Sequence, residues 1–216
     1  MKLRHLAIAA LLLPALAQAN VIRSPSAIVS NTMGEFAPGD LAHTIDRSGL
    51  TPTFVNGVTD FDIYVAGAPK HTDIYSGFEW FSLTNVTSGS LVFDMGASYA
   101  LPKLALWNEE FSGIATMRVS VSDSLVFGAP IGTFNPFNNP QNADYAVEVF
   151  NLGGAVGRYI KLELTCPNPD FLFNGCSMGE IAFSTAAAIP EPSTYALLGL
   201  GLLGVAGMAR RRRDNA

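Results

Sequence analysis

The sequence predicts an all-β protein, built as an antiparallel sandwich or barrel. Between residues 20 and 185, segments in which apolar and polar residues alternate are common, and helical spacing of apolar residues is scarce. Clusters of Gly, Pro, Asn and Asp separate these segments, as at 128–130 and 135–140. Short strands joined by turns are therefore expected through this region.

Six segments have the strand pattern. The clearest is 159–165, in which Ile160, Leu162 and Leu164 are predicted to face inward and Lys161 and Glu163 outward. The others are 90–95, 101–107, 114–121, 145–150 and 180–183.

Two details of this pattern concern register. Gly96 follows 90–95 and predicts a turn before the next strand. In 145–150, alternation places Tyr145, Val147 and Val149 on one face and Phe150 on the other.

The N-terminus has the features of a secretory signal peptide at residues 1–19. A basic start precedes an apolar core over 6–16, and Ala17-Gln18-Ala19 supplies a small-x-small cleavage site. The chain is expected to pass the Sec machinery, to be cut by signal peptidase and to begin at Asn20. An uncleaved membrane helix is disfavoured, because the apolar core is short and ends in a cleavage motif.

The C-terminus carries three features in a fixed order: a Pro-Glu-Pro break, an uncharged apolar run over 195–209, and an arginine cluster at 210–213. The run predicts a single transmembrane helix about 22 Å long, against a hydrocarbon core of about 30 Å. Arginines behind it hold that end in the cytoplasm. A short helix rich in glycine suits a temporary tether at the inner membrane. The residues involved are Pro190, Glu191, Pro192, Arg210, Arg211, Arg212 and Arg213.

This arrangement over 189–213 resembles the PEP-CTERM sorting signal of Gram-negative bacteria. The resemblance implies that an exosortase in the membrane recognises the motif and removes the helix, so the protein is released or transferred to the cell envelope or extracellular matrix. It also implies an association with exopolysaccharide and biofilm production. The alternative is an ordinary C-terminal anchor that happens to contain Pro-Glu-Pro.

Charge excludes one class of partner. The whole chain has a net charge of −5, but six of its 13 basic residues and only two of its 18 acidic residues lie outside 20–189. The body is therefore more acidic than the whole chain, and it repels phosphate backbones, so no nucleic acid partner is expected. By the same argument, a strongly anionic polysaccharide would need a bridging cation.

Cys166 and Cys176 are the two cysteines of the chain, and both lie in the exported body. In an oxidising compartment they are expected to form a disulfide. A redox or metal-binding role is the weaker reading, because the spacing is not Cys-x-x-Cys and no His lies nearby.

Four stretches of the body, residues 20–188, resemble the discoidin or coagulation-factor C-terminal type domain. They are 43–54, 90–96, 104–108 followed by 117–123, and, as a closing pair, 157–162 with 178–183. The resemblance implies the galactose-binding-like jelly-roll β-sandwich. It departs from the family pattern at Arg47, where Gly is common, and at Phe54, where Trp is common.

The same resemblance implies a structural Ca²⁺ held by Asp46, Ser48 and Glu180, with backbone carbonyls completing the shell. In the alternative, Asp46 caps a turn and Glu180 faces water.

Carbohydrate binding would need exposed aromatic rings beside polar groups. The run 75–81 is dense in aromatics, and 135–138 could contribute. The candidate ligand residues are Tyr75, Trp80, Asn135 and Phe137. The alternative is that Trp80 fills the core.

No catalytic residue is predicted, because the body lacks the nucleophile-elbow and His-Glu-x-x-His motifs. The close carboxylate pairs Asp60/Asp62 and Glu109/Glu110 are more typical of solvated strand or loop residues than of a glycosidase. The sequence therefore favours an exported, non-catalytic envelope protein associated with exopolysaccharide. The alternatives are a lectin-like module with a defined glycan and a polysaccharide-modifying enzyme.

Overall fold

The computed structural model describes residues 20–109, 112–140, 142–166 and 173–186, together with residue 199. The predicted signal peptide lies outside the described residues, and so does the predicted membrane segment apart from residue 199. In the described part of the chain, no helix combines the length and apolar character needed to cross a membrane. The elements are β1 (Val21–Arg23), β2 (Ala27–Asn31), α1 (His43–Asp46), β3 (Leu50–Thr51), α2 (Phe61–Ala66), β4 (Lys70–His71), a 3₁₀ turn (Ile74–Ser76), β5 (Trp80–Phe81), β6 (Ser88–Asn108), β7 (Thr116–Ser122), β8 (Gly132–Phe134), β9 (Tyr145–Ala146), β10 (Glu148–Thr165) and β11 (Ser177–Thr185).

Two long bent strands, β6 and β10, connect the two layers of an antiparallel sandwich. Residues 88–94 of β6 pair with β2 and with 159–165 of β10, which pairs onward to β7 and then β8. The later half of β6 pairs with the first half of β10 and with β11, which also pairs with β1 and β5. The first layer is called the β7 sheet below and the second the β11 sheet. The predicted antiparallel all-β architecture is confirmed.

The prediction that Gly96 ends a strand is wrong. Gly96 has a φ of 82°, yet β6 continues through it, and the register with β10 shifts between Gly157 and Tyr159 on the partner strand. Because both strands are irregular at the same level, the ladder bends instead of ending.

The core lies between the two sheets. Ile160, Leu162 and Leu164 are buried, as the alternation predicted, and they belong to one cluster with Phe93 of β6 and Phe183 of β11. The same cluster contains Trp80 and both cysteines.

A second cluster covers the outer face of the β11 sheet. Phe61 and Tyr64 of α2 pack with Trp107 of β6 and Ala182 of β11. Helices α1 and α2 have four and six residues, too few for apolar residues to show a helical period. Residues 50–66 therefore cover the outer face of the β11 sheet, whereas the outer face of the β7 sheet carries polar side chains.

The predicted alternation over 145–150 is wrong in its second half. Tyr145 is buried, but Val149 is 40% exposed and Phe150 is buried instead. The reason is that β9 ends at Ala146 and β10 begins at Glu148, so Val147 belongs to neither strand and the inward parity changes.

Candidate functional site

An aromatic cluster lies at the end of the sandwich where β5 meets the start of β11. It consists of Phe36, Phe81 and Phe173. The Phe173 ring is 5.6 Å from Phe36 and 5.3 Å from Phe81, measured between ring centroids. Phe36 is 45% exposed, and the other two rings are half-buried. These rings present an apolar corner to solvent.

The backbone around this cluster is fixed by hydrogen bonds. The Phe36 N–H donates to the Phe81 carbonyl at 2.9 Å, and the Ser82 N–H donates to the Cys176 carbonyl at 2.8 Å. The Cys176 N–H donates in turn to Ser82 Oγ at 2.8 Å. A Cβ at Gly39 would lie 2.8 Å from the Phe81 ring, so this position needs glycine.

The disulfide and an amide pair complete this end of the molecule. Cys166 and Cys176 are joined, as predicted, with their Cα atoms 5.4 Å apart. Asn174 Nδ2 donates to Asn85 Oδ1 at 2.9 Å. Exposed aromatic rings beside amide groups can stack on the apolar face of a sugar and hydrogen-bond to its hydroxyls. We call Phe36, Phe81, Phe173, Asn85 and Asn174 the aromatic corner.

Trp80 is not part of this corner, and the prediction that it binds ligand is wrong. Its side chain is fully buried, and Nε1 donates to the Gly34 carbonyl at 3.0 Å. Because strand side chains alternate, Trp80 points into the core and Phe81 points away from it. The side chain of Tyr75 lies outside the described residues.

Asn135 and Phe137 are both exposed, Phe137 by 65%. Asn135 Oδ1 accepts from the Thr116 hydroxyl on β7 at 3.2 Å. The backbone of Phe137 is held by Asn108, whose Nδ2 donates to its carbonyl at 2.9 Å, and by Glu148, whose Oε2 accepts from its N–H at 2.8 Å. No described contact joins these two residues to the aromatic corner.

The predicted calcium ligands lie close to one another. Glu180 Oε2 accepts from the Arg47 N–H at 2.8 Å, and Asp46 Oδ1 accepts from the Ser48 N–H at 2.7 Å. The Ser48 hydroxyl is 3.1 Å from His43 Nδ1. Asp46 is therefore a turn cap, as the alternative held, but Glu180 is fully buried and does not face water.

Burial raises the pKa of the Glu180 carboxyl well above its usual range; the Arg47 N–H opposes this shift and the Asp46 carboxylate adds to it. The Arg47 guanidinium lies over the Phe54 ring, 5.7 Å from its centroid. The two carboxylates and the Ser48 hydroxyl are hard oxygen donors of the kind that Ca²⁺ accepts. Among the described residues, no group of three or more His, Cys, Asp or Glu gathers as a metal site, so backbone carbonyls would have to complete the shell.

The carboxylates considered for catalysis have structural partners. Asp60 caps α2 by accepting from the Ile63 N–H at 2.9 Å, and Asp62 accepts from Lys103 Nζ at 2.6 Å. Glu109 is fully buried and accepts from the Ser177 hydroxyl, whereas Glu110 lies outside the described residues.

A buried polar cluster that the sequence did not reveal joins His71 and Glu79 to the distant Tyr145. His71 Nδ1 lies 3.0 Å from the Tyr145 hydroxyl and 3.5 Å from Glu79 Oε1. His71 and Glu79 have no solvent exposure. The cluster connects β4 and β9 to Glu79, the residue before β5. No local pattern marks it, since Tyr145 is 74 residues from His71 in sequence.

The architecture belongs to a class found in solved structures. The C-terminal domain of a chitobiase from Bacteroides fragilis is similar over 78% of this chain and all of its own, with 19% identity and a TM-score of 0.51. A chain in the structure of reduced XRCC1 bound to the DNA polymerase beta catalytic domain matches over 78% of this chain and all of its own, with 11% identity and a TM-score of 0.51. These likenesses show the fold alone.

The carbohydrate-binding module CBM32-1, from a family 31 glycoside hydrolase of Clostridium perfringens, has 15% identity and a TM-score of 0.46. It covers 75% of this chain and 96% of its own. The fold of the body is thus an antiparallel β-sandwich, as the sequence predicted.

Residues 188–213 match the PEP-CTERM protein-sorting motif. The chain therefore carries a PEP-CTERM sorting signal, which implies export, transient membrane anchoring and processing by an exosortase. The matched segment contains Pro190 to Pro192 and the four terminal arginines, and it lies outside the described residues apart from residue 199. A search of curated proteins finds no match.

Proposed function

We propose that this protein, once freed of its sorting signal, is a non-catalytic component of the cell envelope or extracellular matrix that associates with exopolysaccharide. The observation that carries the proposal is the combination, in one chain, of a sorting signal with a sandwich that exposes an aromatic corner. Sorting delivers the body to a compartment rich in polysaccharide. The rings and amides of the corner then supply the two kinds of contact that sugars make with proteins.

The proposal is tested by expressing the gene, with its sorting signal, in a bacterium that has an exosortase. We expect the exported protein to stay with the polysaccharide fraction, and to be released in a strain that cannot make polysaccharide. Phe36→Ala should release it, because the most exposed ring of the corner is lost.

Phe78→Ala is the matched control. Phe78 is 38% exposed, but its ring packs edge-on to His43 at 6.0 Å rather than in the corner. Equal retention of the exported protein in strains with and without polysaccharide would contradict the proposal.

A lectin-like role with one defined glycan is the second candidate, and the paired amides of Asn85 and Asn174 favour it because fixed amides can select hydroxyl geometry. Binding of a single glycan on an array, with all others rejected, would support this role over general association with polysaccharide.

We also propose a structural Ca²⁺ at Asp46, Ser48 and Glu180. Its support is the buried Glu180 carboxyl next to a loop that supplies a second carboxylate. We expect the melting temperature to rise in Ca²⁺ and fall in chelator for the wild type. Glu180→Gln should remove this difference. Equal melting temperatures in Ca²⁺ and chelator for the wild type would rule the site out.

A further inference from the structure

The outer face of the β7 sheet holds an open cleft of about 380 Å³. Strand pairing aligns Ser90, Glu163, Arg118 and Thr133 in one row across β6, β10, β7 and β8. Neighbouring strands are about 4.8 Å apart, so this row extends about 14 Å. The next row adds the cleft-lining residues Ser88, Thr165 and Thr116, with Asn135 bonded to Thr116 at its end. The result is a strip of hydroxyl groups long enough for an extended chain.

The cleft has more positive than negative side chains, whereas the body as a whole has a net negative charge. Glu163 lies between Lys161, whose Nζ is 2.7 Å from it, and Arg118, whose Nη1 is 3.4 Å from it. The hydrogen bond from Lys161 lowers the pKa of Glu163, and Arg118 adds to this effect, so the carboxyl is ionised. Among the described residues that line the cleft, two cations thus face one anion.

Arg118 is the group with spare hydrogen-bonding capacity. Its side chain is 52% exposed, and it meets Glu163 through one long contact, whereas a guanidinium has five N–H donors. A planar guanidinium can bind a carboxylate through two parallel hydrogen bonds.

The acidity of the rest of the body does not cancel this local charge. At physiological ionic strength, interactions between exposed charges fall off over about 8 Å. A ligand in the cleft therefore senses Arg118 and Lys161 more strongly than distant carboxylates.

We propose that this cleft binds an extended acidic polysaccharide, with a sugar carboxylate on Arg118 and sugar hydroxyls on the Ser and Thr rows. The inference rests on the proposed association with exopolysaccharide and gives it a second site, apart from the aromatic corner. It also revises the expectation that an anionic polysaccharide needs a bridging cation, because the cleft supplies the positive charge itself.

The test uses the exported protein and polygalacturonate as the probe, with neutral dextran and poly-glutamate beside it. We expect wild-type protein to bind polygalacturonate in preference to both others. Arg118→Gln should weaken that binding about tenfold, the loss expected when a charge-assisted hydrogen-bonding group is removed.

The matched control is Lys103→Gln, which removes one surface cation elsewhere. This variant should bind like the wild type. Equal losses in Arg118→Gln and Lys103→Gln, or equal binding of poly-glutamate, would overturn the proposal, because general charge would then explain the result.

Failure of this inference can be told apart from failure of the proposed function. Retention of the protein by host exopolysaccharide without any polygalacturonate binding would overturn the cleft proposal alone. If no polysaccharide retains the exported protein, both the cleft proposal and the proposed function are overturned.

Discussion

Trp80 and Phe81 are adjacent in the chain, but only Trp80 is a core residue. It is fully buried and its indole N–H has a backbone partner, while the next residue, Phe81, reaches the surface. Trp80→Ala should therefore destabilise the fold by about 4 kcal/mol, through lost apolar burial and the cavity left behind. Urea denaturation measures this change.

Phe137→Ala is the comparison, since its ring is 65% exposed and its loss should change stability by less than about 0.5 kcal/mol. A Trp80→Ala protein as stable as the wild type would show that the indole is not a core residue.

A second residue-scale effect concerns the bend of the two long strands. Arg158 Nε and Nη2 donate to the two oxygens of Asp94 at 2.8 and 2.7 Å, and Oδ1 also accepts from the Gly96 N–H. The hydrogen bonds from Arg158 lower the pKa of Asp94 below its ordinary 3.8. The stability that this pair contributes is therefore present above pH 3.8 and is lost as pH falls through the lowered folded-state pKa.

Asp94→Asn keeps an oxygen for Gly96 but removes the charge. We expect the wild type to be more stable than this variant at pH 7, with the difference shrinking as pH falls below 3.8. Denaturant midpoints at several pH values measure it. A difference that stays constant into acid would contradict the ion pair.

At the scale of elements, the strands with one polar face were predictable and the others were not. Residues 159–165 alternate because their outer face is the polar surface of the β7 sheet. All nine residues of β11 are buried, because α2 and its neighbours cover its outer face, so alternation identified only 180–183. Strands β1 and β2 have three and five residues, which is too few for a clear period.

The candidate sites show the same limit. The aromatic run 75–81 predicts a sugar-binding surface. Its strand β5 is only two residues long, which is too short for the sequence to show whether Trp80 or Phe81 faces outward. Phe36 lies in a loop, where no periodicity exists to find it. The rows of the β7 sheet depend on pairing between distant strands, which a single sequence does not give.

The disulfide lies next to the aromatic corner, because Phe173 and Asn174 closely precede Cys176 in the chain. Cys166 and Cys176 are ten residues apart, and closing a loop of this length is worth about 3 kcal/mol in the chain-entropy account. Replacing both cysteines by serine should lower the free energy of unfolding by about that amount, and reductant should do the same to the wild type. Urea denaturation with and without reductant measures it. Identical midpoints would show that the bond adds no stability.

For the whole molecule, the fold of the body bears on what the protein binds, and the sorting signal bears on where the protein is delivered. The sandwich has one face covered by residues 50–66 and one polar face left open, which suits a body that meets an external polymer. The signal at 188–213 determines where that body is delivered. Because each part has its own evidence, the delivery and the binding can be tested separately.

Delivery is the central claim, and mass spectrometry of the mature protein from a host with an exosortase tests it most directly. We expect a species that begins at Asn20 and ends upstream of the apolar run, without Arg210 to Arg213. A mature protein at full abundance that still carries all four arginines would contradict the account.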